Sequence, residues 1–74
     1  MQYYERIKEM RINAGLTQEQ IGEILGVKQS QYHRWESGKR DYPIGTIIRL
    51  AEYFGVSTDY ILLGRSETNE EAAR

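Results

Sequence analysis

A chain of 74 residues with no cysteine, 39% hydrophobic residues and a formal net charge of −1 implies one small domain, folded without disulfide or thiolate–metal staples. No apolar run approaches the roughly 20 residues of a membrane span, and the opening MQYYERIKEM is too charged for a signal peptide. A small soluble domain of a reducing cytoplasm is therefore the expectation.

Charge is unevenly spread. Residues 1–25 carry Arg6, Lys8 and Arg11 against Glu5, Glu9, Glu19 and Glu23, a net −1. Residues 26–49 carry Lys28, Arg34, Lys39, Arg40 and Arg49 against Glu36 and Asp41, a net +3. Residues 50–74 carry Arg65 and Arg74 against Glu52, Asp59, Glu67, Glu70 and Glu71, a net −3. For a polyanionic partner the local excess matters more than the total, and the basic excess falls mid-chain.

The apolar spacing is helical from end to end. A first helix runs from Tyr3 to about Asn13 with Ile7 and Met10 on one face, and either Asn13 or Gly15 can end it. Thr17 opens a second helix, TQEQIGEIL, with Gln20 at capping-box spacing and Ile21, Ile24 and Leu25 as the inward stripe. Gly22 lies mid-helix at a cost of about 1 kcal/mol relative to alanine, which suggests close packing against the next helix. Gly26 stops the second helix, and a third runs from about Lys28 to Trp35 and ends before Gly38. After Pro43 a fourth helix places Ile47, Leu50, Ala51 and Phe54 on one face and ends at Gly55. Ser57 caps a short fifth helix, TDYILL, with Asp59 in its first turn. The tail GRSETNEEAAR has no apolar stripe and reads as mobile or frayed. The expectation is a compact all-helical domain over residues 1–64 and a polar tail over 65–74.

The third helix carries the chemistry. At about 100° per residue, Tyr32 and Trp35 fall on one side and Ser30, His33 and Arg34 on the other, with Gln29 at its edge and Gln31 beside Trp35. An ordinary solvated face more often carries Glu and Lys. Gln, Ser and Arg instead match base edges in the major groove: Arg to guanine, Gln to adenine, Ser to either.

The segment TQEQIGEILGVKQSQYHRWESGKRDYPIGTIIRLAEYFGVSTDYILLG resembles the helix-turn-helix domain of the phage repressor and Cro family, the xenobiotic-response-element class. The resemblance covers residues 4–64. It rests on Thr17-Gln18 opening the second helix, a small residue at Gly22, Gly26 in the turn, WESGKR followed by Pro43, LAEYFGVS and DYILLG. It implies a five-helix, lambda repressor-like fold that binds double-stranded DNA as a homodimer on a pseudo-palindromic operator. In that frame Gln29, Ser30 and Arg34 read bases, Gln31 and His33 reach a base or a phosphate, and Gln18, Lys39 and Arg40 contact phosphates. Arg11 and Glu36 match a pair that orients the recognition helix, and Val56, Tyr60 and Leu63 fall where the family often dimerises but could equally belong to the monomer core. A cytoplasmic protein of bacterial, phage or mobile-element origin follows from the same likeness.

Two residues depart from the family pattern. Lys28 stands where Ser or Thr commonly caps the recognition helix; lysine accepts no N–H bond but can reach a phosphate. Asp41 sets a negative charge near the DNA backbone. Both bear on affinity more than on fold, and because few phosphates are neutralised per subunit, modest, strongly salt-dependent binding is expected. A rival reading is a protein-interaction module on a helix-turn-helix scaffold, antitoxin-like or the partner of a larger regulator. His33 is the sole histidine and has no second histidine or cysteine at ligand spacing, no nucleophile and no orienting carboxylate. No metal, no cofactor and no enzymatic activity are therefore expected. Tyr3, Tyr4 and Tyr42 read as partly exposed, packed on the surface or stacked on a partner. With 74 residues leaving no room for an effector domain, an inducer would bind this domain, cleave it or act through another protein.

Overall fold

Among the described residues five helices form in the order that the apolar spacing anticipates: α1 (Tyr3–Asn13), α2 (Gln18–Leu25), α3 (Gln29–Glu36), α4 (Ile44–Phe54) and α5 (Thr58–Leu63). The computed structural model describes residues 1–65, and the expectation for the tail falls almost wholly outside them. Among the described residues all regular structure is helical.

Local chemistry sets the ends of these helices. The Gln20 N–H donates to Thr17 Oγ1 (3.0 Å) while Gln20 Oε1 accepts from the Thr17 N–H (2.8 Å), a reciprocal capping box at the start of α2. Ser57 Oγ accepts from the Tyr60 N–H at 2.9 Å and starts α5. Gly15, not Asn13, takes the left-handed turn after α1 (φ 74°), and Gly26 takes it after α2 (φ 77°). Arg49 of α4 adds a cap from a distance. Its guanidinium donates to the Leu25 and Ile24 carbonyls at 3.0 and 2.8 Å, placing a cation at the negative end of α2.

Every helix contributes to one core: Ile7 from α1, Ile21 and Leu25 from α2, Tyr32 and Trp35 from α3, Ile47, Leu50 and Ala51 from α4, and Ile61 from α5. Met10 and Phe54 pack against it half-buried, as does Val27 from the turn. Each fully buried large aliphatic side chain is worth about 1.5–3 kcal/mol, so the inward stripes supply most of the fold's stability.

Gly22 explains the close approach of α2 and the turn. A Cβ there would lie 3.0 Å from the Val27 carbonyl oxygen and 3.8 Å from the Gln29 nitrogen. The backbone that needs the room is the turn and the first residue of α3, and Val27 N–H donates to the Gly22 carbonyl at 2.9 Å.

Tyr42 corrects an expectation. It is buried, 6% exposed, in an aromatic cluster with Tyr3, Tyr32 and Trp35 at centroid distances of 5.4–6.1 Å. Tyr3 and Tyr4 are half-buried against the same cluster. The Tyr3 hydroxyl donates to Asp41 Oδ1 at 3.0 Å and accepts from the Tyr42 N–H at 3.2 Å, tying α1 to the loop after α3. Tyr4 lies under Gly38, which has φ 83° and whose added Cβ would sit 2.6 Å from the Tyr4 ring. Gly38→Ala therefore meets both left-handed backbone strain and a ring. It should destabilise the domain by about 1–2 kcal/mol, read as a lowered Tm in thermal unfolding; an unchanged Tm would mean that the ring and turn relax freely.

Candidate nucleic-acid interface

α3 is held by its inner face. Tyr32 is 0% and Trp35 4% exposed, while Gln29, Ser30, His33 and Arg34 are exposed on the outer side and Gln31 is half-buried between. Lys28 occupies the N-cap position with extended backbone and makes no side-chain cap bond, so the first turn of α3 is held by backbone alone. The Tyr32 N–H donates to the Lys28 carbonyl at 3.0 Å.

Behind this face sits a buried carboxylate. Glu36, 5% exposed, accepts from Arg11 Nε (2.7 Å), Arg11 Nη2 (3.0 Å), the Tyr32 hydroxyl (2.7 Å) and Gln18 Nε2 (2.8 Å). Arg11 also donates to the Leu16 carbonyl at 2.6 Å, so one guanidinium joins α1, the first connection and the end of α3. Burial disfavours the Glu36 charge, but the hydrogen bonds from Arg11, Tyr32 and Gln18 outweigh it and lower its pKa. Burial above all pushes the Tyr32 hydroxyl far up, so it stays a donor at any working pH.

A pH dependence follows from that direction. With the folded pKa below the unfolded one, Glu36 contributes its stability in full above the ordinary glutamate value of about 4.3. The contribution is lost as pH falls through the lower folded value. Urea unfolding from neutral pH to about pH 3 should show wild type losing stability more steeply than Glu36→Gln. Parallel curves would mean that folding leaves the Glu36 pKa at its ordinary value.

The exposed face is bounded by two concavities that share Arg34. One is lined by Gln18, Gln29, Ser30, His33, Arg34 and Lys39. The other is lined by Gln31, Arg34, Trp35, Arg40, Asp41 and Pro43. Arg34 Nη1 donates to Gln31 Oε1 at 3.2 Å, one turn back on the same helix. The Lys39 and Arg40 backbone N–H groups both donate to the Arg34 carbonyl, at 3.0 and 3.2 Å, so the loop folds back onto the end of α3 and both side chains are exposed beside it. The structure thus brings Gln18, Gln29, Ser30, His33, Arg34 and Lys39 together, with Gln31 and Arg40 adjoining; Lys28 lines neither concavity.

Away from this face, Val56 and Tyr60 pack half-buried against the core, whereas Leu63 is 60% exposed. Among the described residues no cluster of metal-ligating side chains occurs and no helix is long and apolar enough to cross a membrane.

Three of the positioning contacts go beyond the sequence-based expectation. Tyr32 to Glu36 was accessible, since the two stand at i,i+4 on one helix. Gln18 to Glu36 and Arg49 to the end of α2 join residues 18 and 24–25 positions apart, and no local signal marks them. Asp41, read only as a repulsive charge, also anchors Tyr3.

Comparison with known proteins places this geometry in context. The helix-turn-helix domain family profile matches residues 4–67. Among curated proteins the chain is 35% identical over 60 residues to the SPbeta prophage-derived HTH-type transcriptional regulator YonR of Bacillus subtilis, covering 81% of this chain and 56% of that protein. It is 33% identical over 64 residues to the HTH-type transcriptional activator BcrR of Enterococcus faecalis, covering 86% and 31%. With the cryptic phage CTXphi transcriptional repressor RstR of Vibrio cholerae the identity is 30% over 67 residues, covering 90% and 60%. The chain spans less than two thirds of the length of each of these relatives.

Proposed function

Because the chain belongs to the helix-turn-helix family of DNA-binding transcription regulators, we propose that it binds duplex DNA sequence-specifically with α3 in the major groove. The observation that carries this is the division of α3. Tyr32, Trp35 and Glu36 hold it from behind, and Gln29, Ser30 and Arg34 stand exposed with base-matching chemistry. In this reading those three read bases. Gln31 and His33 reach a base or a phosphate, and Gln18, Lys28, Lys39 and Arg40 contact phosphates. Arg11 and Glu36 fix the helix that presents them. The unit that does this is residues 1–64.

A single recognition helix reads too few base pairs to find one site in a genome, which favours a homodimer on a pseudo-palindrome with half-sites about 34 Å apart. Val56, Tyr60 and Leu63 mark the proposed dimer face, with exposed Leu63 its direct contact. Occupying an operator would block polymerase in the cytoplasm of a bacterial host. RstR is named a repressor and BcrR an activator, so a reporter assay decides the sign, and repression is the expected result. The protein-partner reading draws support from the uncapped start of α3. Selection of bound fragments from random duplex DNA, read by sequencing, separates the two: a palindromic motif is expected, and recovery of none favours the protein partner.

Lys39→Ala isolates the phosphate grip. Affinity should fall for all sequences alike, with the slope of log K against log salt shallower by about one unit. Fluorescence anisotropy titrations at several salt concentrations check it. A loss confined to one sequence would assign Lys39 to a base.

A further inference from the structure

We infer that His33 is a base-reading residue whose imidazole is held by Gln18 and Glu36 with its proton on Nδ1, so that Nε2 offers a lone pair to an amino group of a base in the major groove. The inference deepens the DNA-binding reading above and rests on it.

The argument is a chain of obligatory donors and acceptors. The ionised Glu36 carboxylate only accepts hydrogen bonds, so the Gln18 amide atom 2.8 Å away must be its NH2 group. That turns the Gln18 amide oxygen the other way, to 3.3 Å from His33 Nδ1. An amide oxygen cannot donate, so the hydrogen must sit on Nδ1. In a neutral imidazole the second nitrogen is then an acceptor. His33 Nε2 has no partner among the described residues, and the ring lines the concavity shared with Gln29, Ser30, Arg34 and Lys39.

An acceptor cannot bond a phosphate oxygen, nor guanine N7 or O6. It matches adenine N6 or cytosine N4, the two major-groove amino donors. For the neutral ring, of the two roles open to His33, the geometry thus selects base over phosphate. It also pairs His33 with Arg34 as neighbours of opposite polarity, a lone-pair acceptor beside a donor-only guanidinium. Gln18 remains able to meet a phosphate, because its NH2 group has a second N–H. Gln18 and Glu36 are positioning residues in this scheme.

The free protein tests the tautomer first. Long-range 15N–1H correlation spectra of histidine-labelled wild type at about pH 8, above the ordinary imidazole range, should show the His33 proton on Nδ1. Gln18→Ala should move it towards Nε2. A wild-type proton on Nε2 overturns the inference. The second arm repeats the random-duplex selection with wild type and His33→Ala. One position that prefers adenine or cytosine should lose that preference by about two- to tenfold. An unchanged motif in His33→Ala, with the wild-type motif recovered, overturns the base role alone. No motif from wild type overturns the DNA reading beneath it and the base role with it, while the tautomer result stands separately.

Discussion

Arg11→Ala is expected to cost the domain about 3–5 kcal/mol, the range for removing one partner of a buried ion pair. The side chains of Arg11 and Glu36 are 11% and 3% exposed, and the two hydrogen bonds between them measure 2.7 and 3.0 Å. Without Arg11, Glu36 keeps the Tyr32 and Gln18 hydrogen bonds but loses its countercharge, and the Leu16 carbonyl loses its side-chain donor. A loss of that size is a large part of the 5–15 kcal/mol typical of a whole domain. Tm should fall by roughly 4–8 °C for each kcal/mol. Urea unfolding followed by circular dichroism measures it. The Arg11→Met, Glu36→Leu double variant should be less destabilised than the sum of its single changes, because no charge is left buried alone. A loss below about 1 kcal/mol in Arg11→Ala would place the pair with ordinary solvated ion pairs.

Arg34→Ala has the opposite profile. Its guanidinium is exposed, and its only side-chain partner among the described residues is Gln31. The fold should therefore be intact, with Tm close to wild type. Affinity for the selected duplex should fall by about 1–3 kcal/mol, with relaxed preference at one base position, expected to be a guanine. Affinity for unrelated duplexes should change much less. Calorimetric or anisotropy titration of both duplexes checks it, and unchanged affinity for the selected site would remove Arg34 from the readers.

These two residues show what was legible in the sequence. The helices were, because their signals are local: Thr17 and Gln20 bond within one turn, Gly26 and Gly55 adopt left-handed backbone, and Ile47, Leu50 and Ala51 repeat at helical spacing. The exposed edge of α3 was legible for the same reason, since Tyr32 and Trp35 alone set which side faces out. The loop after α3 was not. Tyr42 is buried because Tyr3, 39 residues earlier, accepts its N–H and packs beside its ring. Contacts of that separation leave no periodic trace. The resemblance assigns Gln18 a phosphate contact alone. Its amide is also a link between Glu36 and His33, visible only once α2 and α3 are set side by side.

The proposed function stands on the outer face of α3 distinguishing one DNA sequence from others. Its most direct test is the ratio of affinities for the selected duplex and a scrambled duplex of the same composition, titrated at physiological salt. A specific regulator gives a ratio of about 10³ or more. A ratio near one, with both affinities falling alike as salt rises, would leave only phosphate attraction and rule out sequence reading by α3.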